Sequence, residues 1–178
     1  MVTLRRARWP DDVVAVANLD TGFVTDRIYR LMRNEWSSEL VAEANIAPLA
    51  KRYPLNVVDQ KERSQWDCAV VAEAGGTISG FLAAQYQAWN RRLIIQHLYV
   101  EPSNRGRGVG ISLLDYADEH ARKTGARCLW LETQNVNFPA IQFYLKYGFH
   151  YCGFDESLYD PIGLDSDEVA LFFSKHIA

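Results

Sequence analysis

Residues 104–114 have the sequence NRGRGVGISLL, which is the most informative stretch of the chain for its fold and ligand. Glycine occupies three alternate positions, Gly106, Gly108 and Gly110, and an apolar helical pattern follows at once. Glycines before a helix let an anion approach the unpaired N–H groups of the first turn, where the positive end of the helix dipole also lies. The segment therefore predicts a phosphate or pyrophosphate site, although a tight strand-to-helix turn without a ligand needs similar glycines.

The spacing of the glycines distinguishes between kinds of phosphate-binding loop. A P-loop requires GxxxxGK followed by Ser or Thr, and no lysine follows Gly110. A dinucleotide-binding turn requires GxGxxG directly after a strand, whereas EPSNR (101–105) precedes these glycines. Nucleotide hydrolysis is therefore disfavoured. A dinucleotide-binding oxidoreductase fits poorly, although Glu132 stands where a ribose-binding acid could lie.

The chain around this stretch alternates strands and helices. In order, the patterns predict a strand over 2–7, a helix over 10–19, an antiparallel hairpin over 67–87, a central strand over 92–100, a helix to about 123, a strand over 127–133, a helix over 138–147, and strands near 149–155 and 168–174. This order predicts a mixed α/β (α+β) sheet flanked by helices, in two or three layers. Residues 20–60 give no firm assignment, although DRIYRLMRNEW (26–36) has a helical period.

The composition predicts one globular domain with a sizeable core. The 178 residues are 48% hydrophobic and 12% aromatic, and no domain boundary is visible. We therefore expect a single domain over 1–178, with an N-terminal strand and acceptor-side helices in 1–66, a ligand-binding core in 67–155, and a C-terminal loop and strand in 156–178.

The charge and the apolar runs narrow the expected partners. A formal net charge of -3 gives no indication of binding to nucleic acid or to an anionic membrane. No apolar run is long enough to span a membrane, and the first residues lack the apolar core of a signal peptide. A cytoplasmic location is the expectation that follows.

The cysteines and histidines predict neither disulfides nor a metal site. The three cysteines, Cys68, Cys128 and Cys152, form no CxxC pair and lie in apolar, strand-like runs. We expect them to be reduced core residues. The four histidines have no ligand-like spacing, so no metal is predicted.

A second motif lies further along the chain, in NFPAIQFYLKYGF (137–149). Positions seven apart in a helix differ by about 20° around its axis, so Asn137 and Tyr144 would lie on nearly the same face. Taken singly, each residue has an ordinary structural explanation, because Asn137 could cap a helix and Tyr144 could fill a core.

Together the two motifs resemble a family. RxxGxG over 105–110, with NxxAxxxYxxxGF over 137–149, is similar to the GNAT superfamily of acetyl-CoA-dependent N-acetyltransferases, from about residue 67 to 155. Shorter strings resemble its streptothricin acetyltransferase branch, which modifies an amino group of an antibiotic: LDTGFVTDRIY (19–29), IQHLYV (95–100), LETQNVNFPAIQFY (131–144) and GFDESLYD (153–160). The resemblance implies a sheet whose parallel pair splays around the cofactor. It also implies acetyl transfer from acetyl-CoA to a primary amine by direct attack on the thioester.

The resemblance also implies which residues hold acetyl-CoA. Backbone amides of the glycine segment would grip the pyrophosphate, and its two arginines would add charge. The end of the preceding strand would hold the pantetheine arm and polarise the acetyl carbonyl, and the second motif would contact the arm and the sulfur. The implied residues are Leu98, Tyr99, Val100, Arg105, Gly106, Arg107, Gly108, Val109, Gly110, Asn137, Ala140 and Tyr144.

Acyl transfer to an amine needs an acid and a base. By resemblance, Tyr144 is the general acid that protonates the leaving thiolate, and an unperturbed tyrosine has a pKa of about 10 and stays protonated at neutral pH. Many family members place a glutamate on the strand six residues before the position of Val100, but this chain has Ile94 there. The usual base is therefore missing.

Other side chains could take over part of this role. Glu132 is the preferred carboxylate for binding or deprotonating the amine, although a surface or capping role would explain it equally well. Gln96 shares a strand face with Ile94 by alternation and could hold a water or the substrate. His97 should point to the opposite face, where we expect a structural role. Asp155 and Tyr159 are expected to contact the acceptor.

The sequence does not distinguish between several possible acceptors and assembly states. A streptothricin-like antibiotic, another small aminated metabolite and a protein lysine all fit. A non-catalytic acyl-CoA sensor also fits, because the strand glutamate is missing. A homodimer is common in the family.

Overall fold

The computed structural model describes residues 2–53, 55, 57, 59–160 and 168–177. Its elements in chain order are β1 (Val2–Arg6), α1 (Val13–Ala17), β2 (Phe23–Arg33), β3 (Ser38–Lys51), α2 (Gln60–Arg63), β4 (Cys68–Ala74), β5 (Thr77–Gln87), β6 (Arg92–Val100), a 3-10 turn (Pro102–Asn104), α3 (Val109–Thr124), β7 (Cys128–Gln134), α4 (Phe138–Tyr147), β8 (His150–Asp155) and β9 (Ala170–His176).

The chain forms two compact units, and β7 begins in one and ends in the other. The first comprises Met1–Gly22, Arg52–Trp130 and His176–Ala178, and the second comprises Phe23–Lys51 and Leu131–Lys175. The predicted segmentation at residues 66 and 155 remains a prediction, and part of its last segment, 161–167, lies outside the described residues.

The sheet of the first unit has the order β1-β4-β5-β6-β7. The first four strands are antiparallel, with Leu4 opposite Ala72, Val70 opposite Leu82, and Leu82 opposite Leu98. The predicted hairpin is confirmed, and both residues of its Gly75-Gly76 turn have positive φ. Strand β6 reaches its neighbour β7 through α3, the helical crossover that a parallel pair requires.

Helix α3 packs closely on β5 because residue 80 is glycine. A Cβ on Gly80 would lie 3.1 Å from Val109 Cγ1, 3.1 Å from Leu113 Cδ1 and 3.2 Å from the Tyr99 carbonyl oxygen. The helix ends where Gly125 adopts the left-handed conformation with φ 72°. Glycine therefore sets both the approach of α3 to the sheet and its length.

Helix α1 is shorter than the predicted helix over 10–19. The Asp12 side chain does not cap it, because both carboxylate oxygens bind the Arg5 guanidinium, at 2.7 and 2.9 Å, and one also accepts from the Arg8 N–H. The Arg5 hydrogen bonds hold the pKa of Asp12 below its ordinary value. Asp12 therefore links the start of α1 to β1.

Residues 26–36, which have a helical period but no firm assignment from the sequence, belong to the β2–β3 hairpin. Long-range contacts within the second unit override the local pattern. The Tyr29 N–H donates to the Asn135 carbonyl at 2.9 Å, and Asn135 Nδ2 donates back to the Tyr29 carbonyl at 2.9 Å. The Tyr29 ring also stacks on Phe138, with ring centres 5.3 Å apart. Met32 in the same strand is 51% exposed.

The other sheet strands of the second unit have the order β7-β9-β8. Strands β8 and β9 are antiparallel, with Tyr151 opposite Phe173 and Gly153 opposite Phe172. Cys152 is therefore the extra residue of a bulge in β8, and it is exposed. The expectation of three core cysteines is wrong at this position and correct at Cys68 and Cys128, which are buried and free.

Candidate functional site

The glycine segment presents open backbone at the start of α3. Gly106 and Gly108 have φ of 74° and 85°, and a Cβ at either position would meet no atom within 4 Å. Glycine is therefore needed for the left-handed backbone and not for packing. Gly108 is the N-cap and caps no N–H with a side chain, so the first N–H groups of α3 are left for a ligand or water. This cradle fits a phosphate group.

Arg105 ties the glycine segment to the chain before it. Its Nε donates to the Val100 carbonyl at 2.9 Å, and its Nη2 donates to the Asp20 carbonyl at 3.4 Å. The guanidinium therefore holds the end of β6 in place, a role the sequence did not reveal. Arg107 is exposed, and the contribution of either arginine to anion binding remains a prediction.

The loop around Asp20 is fixed to the same strand end. The Asp20 N–H donates to Glu101 Oε1 at 2.8 Å, and its carboxylate pairs with Arg52 at 2.7 Å. The same carboxylate accepts from the Gly22 N–H at 2.9 Å. Residues 20–22 are thus held against the segment that leads into the glycines.

Strand β6 bulges at Gln96. His97 lies opposite Ala83, and Ile95 lies opposite the next residue, Ala84, so Gln96 has no partner across the ladder. The predicted alternation, with Gln96 and His97 on opposite faces, is interrupted here. Trp66 Nε1 donates to Gln96 Oε1 at 2.8 Å, and the same Trp66 ring packs edge-on against the His97 ring at 5.4 Å. A bulge redirects side chains in this way.

Helix α4 places the second motif in the second unit. Asn137 is its N-cap, and Oδ1 accepts from the Ala140 N–H at 3.3 Å. The helix-cap explanation therefore applies to Asn137, which stands just before the first helical residue. Tyr144 is buried, 8% exposed, with its ring 5.8 Å from Phe149. Gly148 ends the helix with φ 102°.

Glu132 and Tyr159 were predicted separately, and the structure brings them together. The Tyr159 hydroxyl donates to Glu132 Oε1. Burial raises the pKa of the Glu132 carboxyl, the Tyr159 hydrogen bond lowers it, and repulsion from Glu168 raises it further. A buried carboxylate whose net pKa is raised is typical of a functional site, and a capping role is not what Glu132 has.

Asp155 has local partners. Its Oδ1 accepts from the Ser157 N–H and from the Ser157 hydroxyl, both at 2.7 Å. These bonds lower the pKa of the Asp155 carboxyl. Asp155 therefore stabilises the turn after β8, and its contact with an acceptor remains a prediction.

Within the described ranges, no group of His, Cys, Asp and Glu side chains could hold a metal ion. None of the helices in that part of the chain is long and apolar enough to span a membrane.

Sequence comparison places the chain among acetyltransferases. Residues 26–149 match the acetyltransferase (GNAT) family. The chain is 35% identical over 175 residues to a streptothricin acetyltransferase of Streptomyces lavendulae, which covers 95% of this chain and 92% of that protein.

Solved structures agree with this match over nearly the full length. A nourseothricin acetyltransferase has a TM-score of 0.88 and 37% identity, with 99% of each chain covered. A protein assigned as a streptothricin acetyltransferase of Bacillus anthracis str. Ames, solved in complex with acetyl coenzyme A, has a TM-score of 0.83 and 27% identity, again with 99% of each chain covered. The predicted fold, a mixed α/β sheet with a parallel pair and flanking helices, is confirmed. With the family match spanning 124 of 178 residues, the chain belongs to the acetyltransferase (GNAT) family and is an N-acetyltransferase.

Proposed function

We propose that this protein acetylates a primary amine of a streptothricin-like antibiotic, with acetyl-CoA as the donor. The observation that carries the proposal is the likeness to streptothricin and nourseothricin acetyltransferases along almost the whole chain, including residues outside the donor motifs. Acetyl-CoA supplies an acetyl thioester that an amine can attack.

The glycine segment would hold the donor. The open backbone at Gly106 and Gly108, followed by the N-terminus of α3, supports a pyrophosphate-binding role. Arg107 would add charge from an exposed position. Arg105 would act through the Val100 carbonyl that it holds, by keeping the end of β6 in place. Leu98, Tyr99 and Val100 would contribute their backbone.

Tyr144 would protonate the leaving thiolate. A phenol has a suitable reference pKa, about 10, because it stays protonated at neutral pH and can still donate to a thiolate. The hydroxyl-bearing ring is buried beside Phe149, which limits its rotation. Asn137 and Ala140 begin the same helix and would contact the pantetheine arm.

Glu132 and Tyr159 would bind the ammonium group of the acceptor. A cation near Glu132 would favour the ionised carboxylate and offset the cost of burying it. Tyr159 already donates to one carboxylate oxygen, so the other oxygen can accept from the acceptor. Asp155 would contribute its carboxylate to this region while Oδ1 keeps both Ser157 bonds.

The acceptor can be identified by thiol release. Purified protein with acetyl-CoA is offered streptothricin, free lysine, a polyamine and a lysine peptide, and free coenzyme A is measured with a thiol reagent. We expect streptothricin to give a kcat/KM at least about tenfold above the others, which corresponds to about 1.4 kcal/mol of additional transition-state stabilisation. Acetyl-CoA binding without thiol release for any amine would favour the acyl-CoA sensor instead. Cytoplasmic location and a homodimer remain predictions.

The role of Tyr144 is tested separately. Tyr144→Phe should lower kcat by about 10²-fold or more, the contribution of a general acid, and leave the Kd for acetyl-CoA within about twofold. Tyr147→Phe, on the same helix, is the matched control. Equal turnover in both variants would remove Tyr144 from the acid role.

A further inference from the structure

The His97 imidazole, in the first unit, is held by a carboxylate and by aromatic rings. Its Nε2 lies 2.8 Å from Glu62 Oε1. Its ring stacks near Phe81 and Tyr99, each with ring centres 6.3 Å apart, and Trp66 packs edge-on against it. These neighbours fix the plane of the imidazole.

The carboxylate also fixes the tautomer. A carboxylate accepts hydrogen bonds and does not donate them, so His97 Nε2 must carry the proton and donate the hydrogen bond to Glu62. Nδ1 then keeps its lone pair, and no partner for Nδ1 occurs within the described part of the chain. About 16% of the His97 side chain is exposed, so the ring is not sealed in the core. This arrangement matches a histidine base oriented by an acid.

The position of His97 along β6 adds a second observation. It follows the bulged residue Gln96 and directly precedes Leu98, whose backbone we assign to the donor. Successive residues of a strand rise only about 3.3 Å, so His97 is a neighbour of that backbone. Bulges are frequent beside active sites, where they redirect a side chain.

We propose that His97 is the base that deprotonates the acceptor ammonium and that Glu62 is the residue that positions it; this inference rests on the proposed acetyl transfer. The ammonium gives one proton to His97 Nδ1, and the resulting amine attacks the thioester carbon. A nitrogen–carbon bond forms, the carbon–sulfur bond breaks, and the leaving thiolate takes up the second nitrogen proton. The proton on His97 passes to solvent. The sum is amide, thiol and one released proton.

The charged groups around His97 come from few elements. Helix α2 brings Glu62 and Arg63, and the Arg63 guanidinium lies over the Trp9 ring at 5.4 Å. Strand β6 brings the Tyr99 phenol. The neighbours on β5 and α1 in the described cluster are apolar. Glu62 is thus the group that pairs directly with the imidazole.

The test compares His97→Gln with wild type, and His150→Gln, an exposed histidine on β8, is the matched control. With acetyl-CoA and streptothricin at neutral pH, we expect His97→Gln to lose about 10²- to 10³-fold in kcat/KM. Its Kd for acetyl-CoA should stay within twofold, and log kcat/KM should rise with unit slope between about pH 6 and 9, because solvent must then deprotonate the amine. In wild type and in His150→Gln, log kcat/KM should reach a plateau within this pH range.

If His97→Gln does not fold, Glu62→Gln, on a partly exposed helix, tests whether His97 is the base. It should lower kcat more than it changes KM, and the proton–nitrogen spectrum of His97 should lose the uniform Nε2–H form. Wild-type turnover in His97→Gln, or a rate loss matched by lost acetyl-CoA affinity, would overturn the inference. So would a Glu62→Gln enzyme with unchanged kcat and unchanged His97 tautomer. If wild type itself releases no thiol, the proposed function fails and not only this inference.

Discussion

Replacing Gly80 with alanine tests how the sheet positions the start of α3. The added methyl would lie 3.1 Å from Val109 Cγ1 and from Leu113 Cδ1, and 3.2 Å from the Tyr99 carbonyl oxygen. Ordinary contacts of a Cβ are longer, at 3.4–4 Å. The methyl groups of α3 can move by a few tenths of an ångström, but the carbonyl belongs to β6 and is held by the strand. Movement of α3 therefore relieves the two side-chain contacts but not the contact with the carbonyl, so β5 or β6 must shift as well.

The expected loss of stability follows from two opposing effects. Overpacking costs about 1–3 kcal/mol, and replacing glycine by alanine gains about 0.4–1 kcal/mol by restricting the unfolded chain. The net loss should lie between about 0 and 2.6 kcal/mol, and its midpoint of about 1.3 kcal/mol corresponds to about 3–5 °C in Tm for a chain of this size. Because Val109 is the first residue of α3, the KM for acetyl-CoA should also rise.

Urea denaturation and steady-state kinetics measure both effects. Gly153→Ala is the matched control, since its methyl would meet Phe172 at 3.6 Å, an ordinary contact. That variant should be unchanged or more stable by up to about 1 kcal/mol. If Gly80→Ala is as stable as Gly153→Ala and binds acetyl-CoA as wild type does, the reasoning about the approach of α3 is wrong.

Two further predictions concern titratable groups. Because the pKa of Glu132 is raised on folding, its contribution to stability is present below its unfolded pKa of about 4.3 and is lost as pH rises through the folded value. Urea melts from about pH 4 to about pH 8 should therefore show Glu132→Gln gaining stability relative to wild type, and a constant difference would contradict this. Burial raises the pKa of Cys68 to about 11, so a thiol reagent at neutral pH should modify Cys152 quickly in the native protein but Cys68 and Cys128 only after unfolding. Rapid labelling of more than one thiol would refute the assigned burial.

Local backbone requirements made much of the fold predictable. Gly108 and Gly125 flank the two ends of α3, and both adopt left-handed conformations that few other residues tolerate. Gly148 does the same for α4, and Gly75 with Gly76 makes the β4–β5 turn. These conformations depend on neighbouring residues only, so the sequence pattern carries them.

Contacts between distant parts of the chain could not be predicted. Strand β2 has a helical period, but its Tyr29 is bound by Asn135 and stacked on Phe138, more than 100 residues later. The bulge at Gln96 likewise depends on pairing with β5, and simple alternation therefore misplaced Gln96 relative to His97.

In the candidate site, residue types could likewise be predicted from the sequence, whereas contacts between distant residues could not. Glu132 and Tyr159 could each be nominated from the sequence, because their residue types suit amine binding. Their hydrogen bond could not, since 27 residues separate them. The pairing of His97 with Glu62 across 35 residues gave no signal in the sequence either.

Acetyl transfer from acetyl-CoA to an amine of a streptothricin-like antibiotic can be tested in a single reaction mixture. The most direct measurement mixes the purified protein with both compounds and follows coenzyme A thiol and the mass of the antibiotic in the same samples. We predict one acetyl group on the antibiotic for each thiol released, with no thiol above background when the antibiotic is omitted. Thiol release without acetylated antibiotic would contradict this acetyl transfer. So would an unchanged antibiotic in the presence of protein that binds acetyl-CoA.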